Sequence, residues 1–410
     1  MAGGAQLPGA DDAEEQIVCH VDMDCFYAAC ERLREPVLRG SPVVIGMGYE
    51  ADEPHGAVAT ASYEAREFGV ESAMAISSAL ERLPRMVDAE VDPDFDESAA
   101  GYYRPVDMDF YASVSADVRA ILDDIADVVR AVSIDEAYLD ITERTDWATA
   151  EAFGQRLADR IAEEVGVAAS VGIAPTMSAA KIASDHDKPN GLVVVPPGEV
   201  ESFLAPLEIE DLHGIGPVTA AELRGEGVTT IGDLSTADGD WLADRFGDRG
   251  RELYQRARGI DRRSVTPTGR PKSLSRESAF SETVEDFERK RETVRELAAA
   301  VADRAKRKGA MYRTIGIKVV EPPFDINTRE RSLSGPVDDP ELLEAISIDL
   351  LREFDEATVR KVGVRVSNLS FADHDQARLD GWDGGGSIEH DRPLPADPRG
   401  QTTLWEFAER

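Results

Sequence analysis

Two short acidic segments carry the residue types that a divalent metal ion needs. Asp22-Met23-Asp24 ends an apolar run, and Asp135-Glu136 lies far along the chain from it. Magnesium prefers hard oxygen ligands, and two such ions about 3.5–4 Å apart can activate a hydroxyl and stabilise a leaving phosphate group. Acid pairs also occur by chance in a chain with 80 Asp and Glu residues. The pattern therefore predicts a metal site only where the fold brings both segments together.

The elements around these acids have the pattern of strands. Residues 17–22 alternate apolar and polar side chains, which is typical of a half-buried strand that delivers acids to a site. A strand that bends at Met23 would present one carboxylate and the Met23 carbonyl to a metal. Residues 131–141 predict two strands that meet at a tight turn. With β-prone runs at 42–45, 57–61 and 168–173 and helical spacing at 147–165, they predict an α/β or α+β core through about residue 190.

The charge balance is the most unusual bulk property of the chain. Its net charge is −35, the acids are spread along the whole sequence, and Lys is scarce beside Arg. A nucleic-acid-binding protein normally carries a basic footprint, so the total charge argues against such a ligand. Two explanations stay open: solubility in very high salt, or an acidic-surface function. Two basic stretches, 251–276 and 304–308, could face phosphates or could be solvated helix faces.

Length and cysteine usage bound the class of protein. A chain of 410 residues exceeds one compact core, so we expect two to four domains. No apolar run approaches a membrane span, and no signal-peptide pattern begins the chain. Cys19, Cys25 and Cys30 are an odd number of cysteines without metal-ligand spacing. This pattern argues against both a disulfide framework and a zinc site. We expect a protein of the reducing cytoplasm without a membrane partner.

Five segments resemble motifs of the Y-family DNA polymerases, specifically the DNA polymerase IV branch. They follow the family's order between about Ile17 and Phe371, and their joint chance occurrence is negligible. They comprise both acidic motifs, the fingers motif, the closing segment of the palm and the thumb turn. In order they are Val21-Asp22-Met23-Asp24-Cys25-Phe26-Tyr27, Val58-Ala59-Thr60-Ala61-Ser62-Tyr63-Glu64-Ala65-Arg66, Ser133-Ile134-Asp135-Glu136-Ala137-Tyr138, Ala180-Lys181-Ile182-Ala183-Ser184-Asp185 with Lys188-Pro189-Asn190-Gly191, and Gly214-Ile215-Gly216.

The resemblance implies roles for the acids. Asp22, Asp135 and Glu136 match the carboxylates that hold two Mg²⁺ ions, with the Met23 carbonyl as a further ligand. All three acids are expected to be catalytic, and Glu136 matches the residue usually named so. Asp24 is also kept by the family, and its role could be structural.

The resemblance also implies a nucleotide site. Tyr27 matches the steric gate that disfavours a ribose 2′-OH, which implies preference for dNTPs, and Phe26 lies beside it. The positions that hold the incoming triphosphate are matched by Thr60, Tyr63, Arg66 and Lys181, whose hydroxyls and cations suit phosphate oxygens. Each has a structural alternative: Tyr27 and Phe26 as core aromatics, Tyr63 and Arg66 as a pair on one helical face, and Lys181 as a solvated lysine.

One departure concerns the loop before Lys181. Thr176-Met177 stands where the family usually has an Asn-Lys pair near the active site. The substitution puts a local contact in doubt, although it leaves the metal and phosphate ligands unchanged.

The implied architecture is a multidomain α+β, right-hand polymerase. Its expected parts are a palm, fingers, a helix-hairpin-helix thumb and a little finger, preceded by a leader and followed by a tether. The bounds are 1–16 for a flexible leader, 17–27 and 90–190 for the palm, 28–89 for the fingers, 191–258 for the thumb, 259–275 for a linker, 276–371 for the little finger, 372–400 for a disordered tether and 401–408 for a clamp-binding motif.

DNA is expected to bind along the second half of the chain. Glycines at Gly214 and Gly216 let backbone N–H groups approach a phosphate closely, which gives binding without lysines. A second, looser copy of this element follows at 227–234. In the little finger, residues 314–320 and the pair Arg329 and Arg331 would line the duplex.

The C-terminal segment resembles a clamp-binding box. Its Gln401, Leu404 and Phe407 match the spacing Q-x-x-aliphatic-x-x-aromatic, while Ala408 stands where a second aromatic is usual. One helical turn of this type fits a pocket of a PCNA-type sliding clamp. Together with the acidic composition, this motif points to an archaeal, halophilic source.

The function that follows is template-directed DNA synthesis of the lesion-bypass type, with low fidelity and no proofreading. The partners would be primer-template DNA, dNTPs and a sliding clamp, and the protein would act as a monomer. Two alternatives are weighed. One is a catalytically weak DNA- and clamp-binding scaffold, against which the intact acids argue; the other is a different palm-type enzyme such as a nucleotide cyclase, for which the hairpin and clamp box have no purpose.

Overall fold

A computed structural model describes residues 16–51, 55–89 and 97–371. The chain divides into two compact units, Met1–Thr268 and Gly269–Arg410. The clamp-binding residues predicted at 401–408 lie outside the described residues, as do the leader at 1–15 and the tether at 372–400. Within the described part, no helix has the length and apolar character needed to cross a membrane.

The first unit mixes strands and helices and ends in a run of five consecutive α-helices. Its strands are β1 (Val18–Met23), β2 (Val43–Met47), β3 (Ala57–Ala61), β4 (Tyr102–Pro105), β5 (Val128–Ala131), β6 (Glu136–Asp140), β7 (Ala169–Ala174) and β8 (Leu192–Val194). Its α-helices are α1 (Phe26–Arg34), α2 (Tyr63–Glu67), α3 (Ile76–Arg82), α4 (Met86–Ala89), α5 (Met108–Ile125), α6 (Ala150–Glu164), α7 (Met177–His186), α8 (Val200–Leu204), α9 (Pro217–Gly225), α10 (Ile231–Thr236), α11 (Gly239–Phe246) and α12 (Asp248–Ala257).

A five-stranded sheet forms the centre of the first unit. Its strand order is β5-β6-β1-β7-β8, antiparallel except for the β7–β8 pair. The expectation of a half-buried strand at 17–22 is wrong, because β1 is central and Val18 through Val21 are all buried. The strand-turn-strand predicted at 131–141 is present, but its first strand begins earlier and ends at Ala131. The amide of Val132 donates to the Glu136 carbonyl at 3.0 Å and closes the turn.

A smaller sheet of order β3-β2-β4 lies beside α2 and α3 in the same unit. β2 pairs antiparallel with β3 and parallel with β4. Their apolar side chains, including Val44, Val58 and Tyr103, form a separate core with Ile76 and Leu83. The fingers motif therefore belongs to the three-stranded sheet, which has a hydrophobic core separate from that of the central sheet.

Helices α8 to α12 share a core with α7 of the central sheet. Ala179 and Ile182 of α7 belong to the same buried cluster as Leu212, Ile215 and helical residues further along. Residues 260–268 at the end of the first unit form neither helix nor strand, and they contact the central sheet. Thr268 Oγ1 donates to the Ala131 carbonyl at 2.5 Å. The helical segment is thus anchored to the edge of the sheet that carries the acids.

The departure at Thr176-Met177 has a local structural explanation. Thr176 is the N-cap of α7, and its hydroxyl accepts from the Ala179 amide at 3.3 Å. Met177 is 4% exposed and joins the core shared with the helical segment. The Ser178 amide donates to Asp261 Oδ2 at 3.2 Å. These two residues therefore fix the start of the helix that carries Lys181.

The second unit is a four-stranded antiparallel sheet with two helices. Its elements are β9 (Ser273–Val284), α13 (Phe287–Arg307), β10 (Ala310–Glu321), β11 (Asp325–Val337), α14 (Pro340–Leu351) and β12 (Val359–Phe371), with strand order β11-β10-β12-β9. Apolar residues of α13 and α14 pack on one face of the sheet. Lys290 of α13 is fully buried, and its ammonium donates to the carbonyls of Phe354, Asp355 and Ala357 at 2.8–2.9 Å.

Candidate active site

The strand register of the central sheet brings the two acidic segments together. Asp22 is the antiparallel partner of Glu136 across β1 and β6. The Met23 amide donates to the Asp135 carbonyl at 2.9 Å, which ties the end of β1 to the turn before β6. Asp22, Asp135 and Glu136 therefore meet at one edge of the sheet, although they are distant in sequence.

Ser133 fixes the turn that carries two of these acids. Its hydroxyl donates to Asp135 Oδ1 at 2.5 Å and accepts from the amides of Asp135 and Glu136 at 3.1 and 2.9 Å. Ser133 is 1% exposed, so this network is shielded from water. The orientation of the Asp135 carboxylate is thus set by a buried hydroxyl two residues earlier.

The site strongly disfavours uncompensated negative charge. Burial and the nearby Asp22 carboxylate raise the pKa of Asp135 to about 6. Burial likewise raises the pKa of Glu136, and Asp22 and Asp135 act in the same direction against its contact with Lys181. Clustered carboxylates in a partly desolvated position favour a bound cation, because each of them is otherwise pushed towards its neutral form.

Two lysines compensate the acids. Lys181 Nζ donates to Glu136 Oε2 at 2.6 Å and lies 3.8 Å from Asp22 Oδ2. Lys188 Nζ is 2.8 Å from Asp22 Oδ1 and 2.8 Å from Asp185 Oδ1. Burial alone would lower the pKa of Lys181, but Glu136, Asp185 and Asp22 raise it. Lys181, which the resemblance predicts to hold the triphosphate, is therefore paired with Glu136 and Asp22 in this structure.

The donor set fits magnesium chemically. Asp22, Asp135 and Glu136 offer hard anionic oxygens at one edge, which Mg²⁺ uses together with water and substrate phosphates. In the ranges that the structure describes, no three Asp, Glu, His or Cys side chains are placed to hold one ion together. An ion at Asp22 or Glu136 would have to compete with the lysine that each of these acids contacts.

His20 lies beneath the acids in the interior of β1. Its Nδ1 is 2.8 Å from Ser184 Oγ, which itself donates to the Lys181 carbonyl at 2.7 Å. Nε2 is 3.6 Å from Glu136 Oε2 and has no hydrogen-bond partner among the described residues. Burial lowers the pKa of His20, which favours a neutral ring packed against Tyr138. The imidazole therefore packs directly beneath the Glu136 carboxylate.

Asp24 has a different environment from the other acids. Its carboxylate accepts hydrogen bonds from the Tyr63 hydroxyl at 3.1 Å, the Ser170 hydroxyl at 3.0 Å and the backbone amide of Asn190 at 2.7 Å. It is 7% exposed. Three donors from three separate segments occupy its oxygens, so Asp24 links the fingers motif, β7 and the segment after α7.

The predicted steric gate lies in a buried aromatic cluster. Tyr27 stacks on Tyr111 with ring centroids 4.7 Å apart, and Phe26 lies 6.0 Å from Tyr27. Burial raises the pKa of Tyr27, so its hydroxyl stays protonated. The Tyr111 hydroxyl donates to Glu31 at 2.7 Å. This stack packs the Tyr27 ring in the first turn of α1, three residues after Asp24.

The fingers residues are organised by the N-terminus of α2. Ser62 caps this helix, and Tyr63 reaches from it to Asp24. Arg66 Nε donates to the Ala61 carbonyl at 3.0 Å, and its guanidinium lies 4.8 Å from the centroid of the Tyr63 ring. Thr60 is at the end of β3, beside this helix. Thr60, Tyr63 and Arg66 therefore occupy adjacent positions.

The predicted hairpin is backed by arginines of α12. Gly214 has a φ of 103°, a conformation that favours glycine, and Gly216 precedes α9. Arg249 donates to the Gly214 carbonyl, and Arg256 Nη1 donates to the His213 carbonyl at 3.2 Å. The hairpin predicted as nonbasic therefore has two cations against its carbonyl side.

Arg329 and Arg331, predicted to line a duplex, are engaged with carboxylates. Arg329 lies 2.6 Å from Glu353 and Arg331 lies 2.6 Å from Asp349. Their cross-strand partners Ile317 and Ile315 belong to the core under the helices. As DNA ligands, both arginines would have to leave these partners.

Several residues that contact the acids, or the lysines paired with them, are not among the site residues predicted from the sequence. They are Lys188, Asp185, Ser133, Ser170, Asn190 and His20. Lys188 and Asp185 lie inside a segment matched to the family, but a motif match does not reveal which side chain reaches the acids. Ser133 also lies inside a matched segment, close in sequence to its partners Asp135 and Glu136. Ser170 carries no local signal, because only the pairing of β1 with β7 brings it to Asp24.

Comparisons with known proteins agree along the chain. Residues 21–185 match the impB/mucB/samB family, residues 197–228 match the IMS family HHH motif, and residues 271–380 match the C-terminal domain of the impB/mucB/samB family. A DNA polymerase IV of Halobacterium salinarum is 61% identical over 99% of this chain and 100% of the relative. One of Methanoculleus marisnigri is 39% identical over 89% of this chain and 98% of the relative.

Solved structures give the same result. A Y-family DNA polymerase chimera of Dbh and Dpo4 superposes with a TM-score of 0.76 and 28% identity over 87% of this chain and 99% of the other. An insertion ternary complex of Dbh DNA polymerase gives a TM-score of 0.60 and 26% identity, with the same coverage. The chain therefore belongs to the Y family of DNA polymerases, and its multidomain α+β fold is that of this family.

Within the family, the chain groups with the DNA polymerase IV proteins. It is a DNA-directed DNA polymerase of the lesion-bypass type, and the relative from Halobacterium agrees with the halophilic composition. The relatives named above give no support to the cyclase alternative. Primer-template DNA and dNTPs are the ligands of the polymerase class to which this chain belongs. Enzymes of this class require a divalent metal.

The environment of Asp24 yields a testable prediction. In Asp24→Asn, an amide would face the donors from Tyr63 and Ser170, so we expect a lower melting temperature, equivalent to about 1–3 kcal/mol for a buried donor left unpaired. We expect the stabilisation of the protein by Mn²⁺ to be retained, whereas Asp135→Asn should lose it. Thermal melting with and without Mn²⁺ measures both quantities. Loss of the Mn²⁺ effect in Asp24→Asn would identify Asp24 as a metal ligand instead.

Proposed function

We propose that Asp22, Asp135 and Glu136 form a two-metal nucleotidyl-transfer site that uses Mg²⁺. The observation that carries this proposal is the β1–β6 register, with Asp22 opposite Glu136 and with Asp135 linked to Met23 through the backbone. Two magnesium ions held there would activate the primer 3′-OH and stabilise the leaving pyrophosphate. The Met23 carbonyl is the further ligand that we propose on the resemblance.

The remaining residues orient the substrates. Arg66 and Lys181 supply cations for the triphosphate, and Thr60 and Tyr63 supply hydroxyl donors. For Lys181 this role requires that its ion pair with Glu136 break. A metal ion bound to Glu136 would replace Lys181 as the partner of this acid. Asp24 holds Tyr63 and Asn190, so we propose that it positions the fingers motif and does not bind metal.

We infer a division of the first unit that refines the boundaries predicted from the sequence. β4 (Tyr102–Pro105) pairs with β2, so we assign 28–105 to the fingers, where the sequence analysis ended them at 89. β8 (Leu192–Val194) pairs with β7, so we extend the palm to residue 194. The thumb then follows to 258. The little finger occupies 273–371, because β9 begins at Ser273, inside the linker predicted at 259–275. The hairpin at Gly214 and Gly216 and the pair Arg329 and Arg331 are proposed DNA contacts.

We also propose that the enzyme acts as a monomer in the cytoplasm and binds a PCNA-type sliding clamp. The proposal for the clamp rests on the match of Gln401, Leu404 and Phe407 to the binding box. Ala408 in place of a second aromatic would reduce the affinity.

Removal of a metal ligand tests the catalytic site. In Asp135→Ala, primer extension on an undamaged template with Mg²⁺ at high KCl should fall by at least about a thousandfold, because an anionic ligand at the reacting phosphate is lost. DNA binding, measured by fluorescence anisotropy, should stay close to that of the wild type. Extension by Asp135→Ala at the wild-type rate would exclude the assignment, and no extension by the wild type would exclude polymerase activity.

The gate assignment is tested by nucleotide choice. Tyr27→Ala opens space under the sugar, so the ratio of kcat/KM for dNTP over rNTP should fall by about a hundredfold or more, since a steric clash can discriminate by several kcal/mol. Tyr111→Ala removes the ring on which Tyr27 stacks without opening the gate directly, and it should lower this ratio less. Unchanged rNTP incorporation by Tyr27→Ala would make Tyr27 a core aromatic only.

The clamp proposal predicts a selective loss. Leu404→Ala combined with Phe407→Ala should leave primer extension without clamp unchanged and should abolish its stimulation by a PCNA-type clamp. The anchors of such a motif contribute most of its binding energy. Stimulation of the double variant equal to that of the wild type would place clamp binding elsewhere or nowhere on this chain.

A further inference from the structure

Lys188 makes the shortest cationic contact with Asp22. Its Nζ is 2.8 Å from Asp22 Oδ1, while Lys181 lies 3.8 Å from Asp22 Oδ2. The Lys188 side chain is 22% exposed and that of Asp22 is 15% exposed, so the pair is only partly screened by water. Each Asp22 oxygen therefore faces an ammonium group.

Lys188 has a second carboxylate within reach. Its Nζ is equally close, at 2.8 Å, to Asp185 Oδ1, and Lys181 lies 3.6 Å from Asp185 Oδ2. Asp185 is in the last turn of α7, and its side chain is 47% exposed. Asp185 is not among the proposed metal ligands, so it stays available to both lysines whatever binds at Asp22.

A divalent ion that coordinates Asp22 meets the ammonium group already on this carboxylate. Magnesium binds a carboxylate oxygen at about 2.0–2.1 Å, closer than the ammonium of Lys188 lies now. Two cations on one carboxylate oxygen would repel each other at short range in a poorly screened position. This repulsion favours movement of Lys188 away from Asp22 when an ion enters, and Lys188 can move without becoming unpaired because Asp185 already holds it.

We propose that Lys188 is an exchangeable counter-ion of Asp22, which a divalent metal displaces onto Asp185. This proposal rests on the metal site proposed above. Lys188 acts through Asp22, so it is a positioning residue: it neutralises the acid in the absence of metal and sets the concentration of metal at which the site fills.

The two partners of Lys188 make predictions of opposite sign. In Lys188→Met the ammonium no longer competes, so the Mn²⁺ concentration at half-maximal thermal stabilisation should fall about fivefold, comparable to a solvent-accessible ion pair. In Asp185→Asn the displaced lysine loses its second partner, so this midpoint should rise by a similar factor. In the double variant, Asp185→Asn should no longer raise it as it does in the wild-type background.

The measurement uses the full chain without DNA or nucleotide, at constant high KCl, with thermal melting as a function of MnCl₂. Lys188→Arg keeps a cation and should retain a midpoint close to that of the wild type. Lys306→Met removes an exposed lysine from α13, and it controls for the change in net charge. Asp185→Asn alters an exposed side chain, so it tests the proposal even if Lys188→Met does not fold.

The outcomes separate the two proposals. Midpoints for Lys188→Met and Asp185→Asn equal to that of the wild type, or shifted in the same direction, would overturn the exchange while leaving the metal site intact. A wild-type protein that Mn²⁺ does not stabilise, together with no primer extension, would instead overturn the metal site itself. A fall for Lys188→Met, a rise for Asp185→Asn and no change for Lys306→Met would support the exchange.

Discussion

Repulsion between carboxylates at one edge of a buried sheet is the constraint on which the rest of the first unit depends. The backbone brings Asp22 opposite Glu136 and fixes Asp135 through Ser133, so the acids cannot separate to relieve their charge. Desolvated charges are costly unless they are paired. Lys181 and Lys188 provide that pairing from a helix and its following segment, and for this reason the position of α7 matters as much as that of the strands.

The anchoring of α7 follows from the same requirement. Its start is capped by Thr176, held by Asp261 and buried through Met177, and its small residues Ala179 and Ala180 pack closely on the sheet. A helix fixed in this way delivers Lys181 to the acids from a defined direction. Thr176-Met177, which stands where the family usually has a polar pair, thus supports the site by fixing the start of α7.

The sequence was sufficient to predict the family and the presence of a strand-turn-strand near 131–141, because these have family-wide or local signatures. It failed at β1, since polar His20 suggested a solvent-facing position that the central place of the strand does not allow. It could not foresee that Lys181 contacts Glu136, or that β4 joins the sheet of β2. Both depend on contacts between segments far apart in sequence, and neither leaves a periodicity.

The arginines behind the hairpin have a consequence for the salt tolerance of an acidic DNA-binding enzyme. Arg249 and Arg256 are engaged with backbone carbonyls of the turn, so a phosphate held by the opposite amide side would displace few condensed ions from the duplex. The binding constant of a contact that releases few counterions falls only slightly as the salt concentration rises. The proposed hairpin contact, in which backbone amides would hold the phosphate, would therefore be weakened less by high salt than a contact made by lysine or arginine side chains.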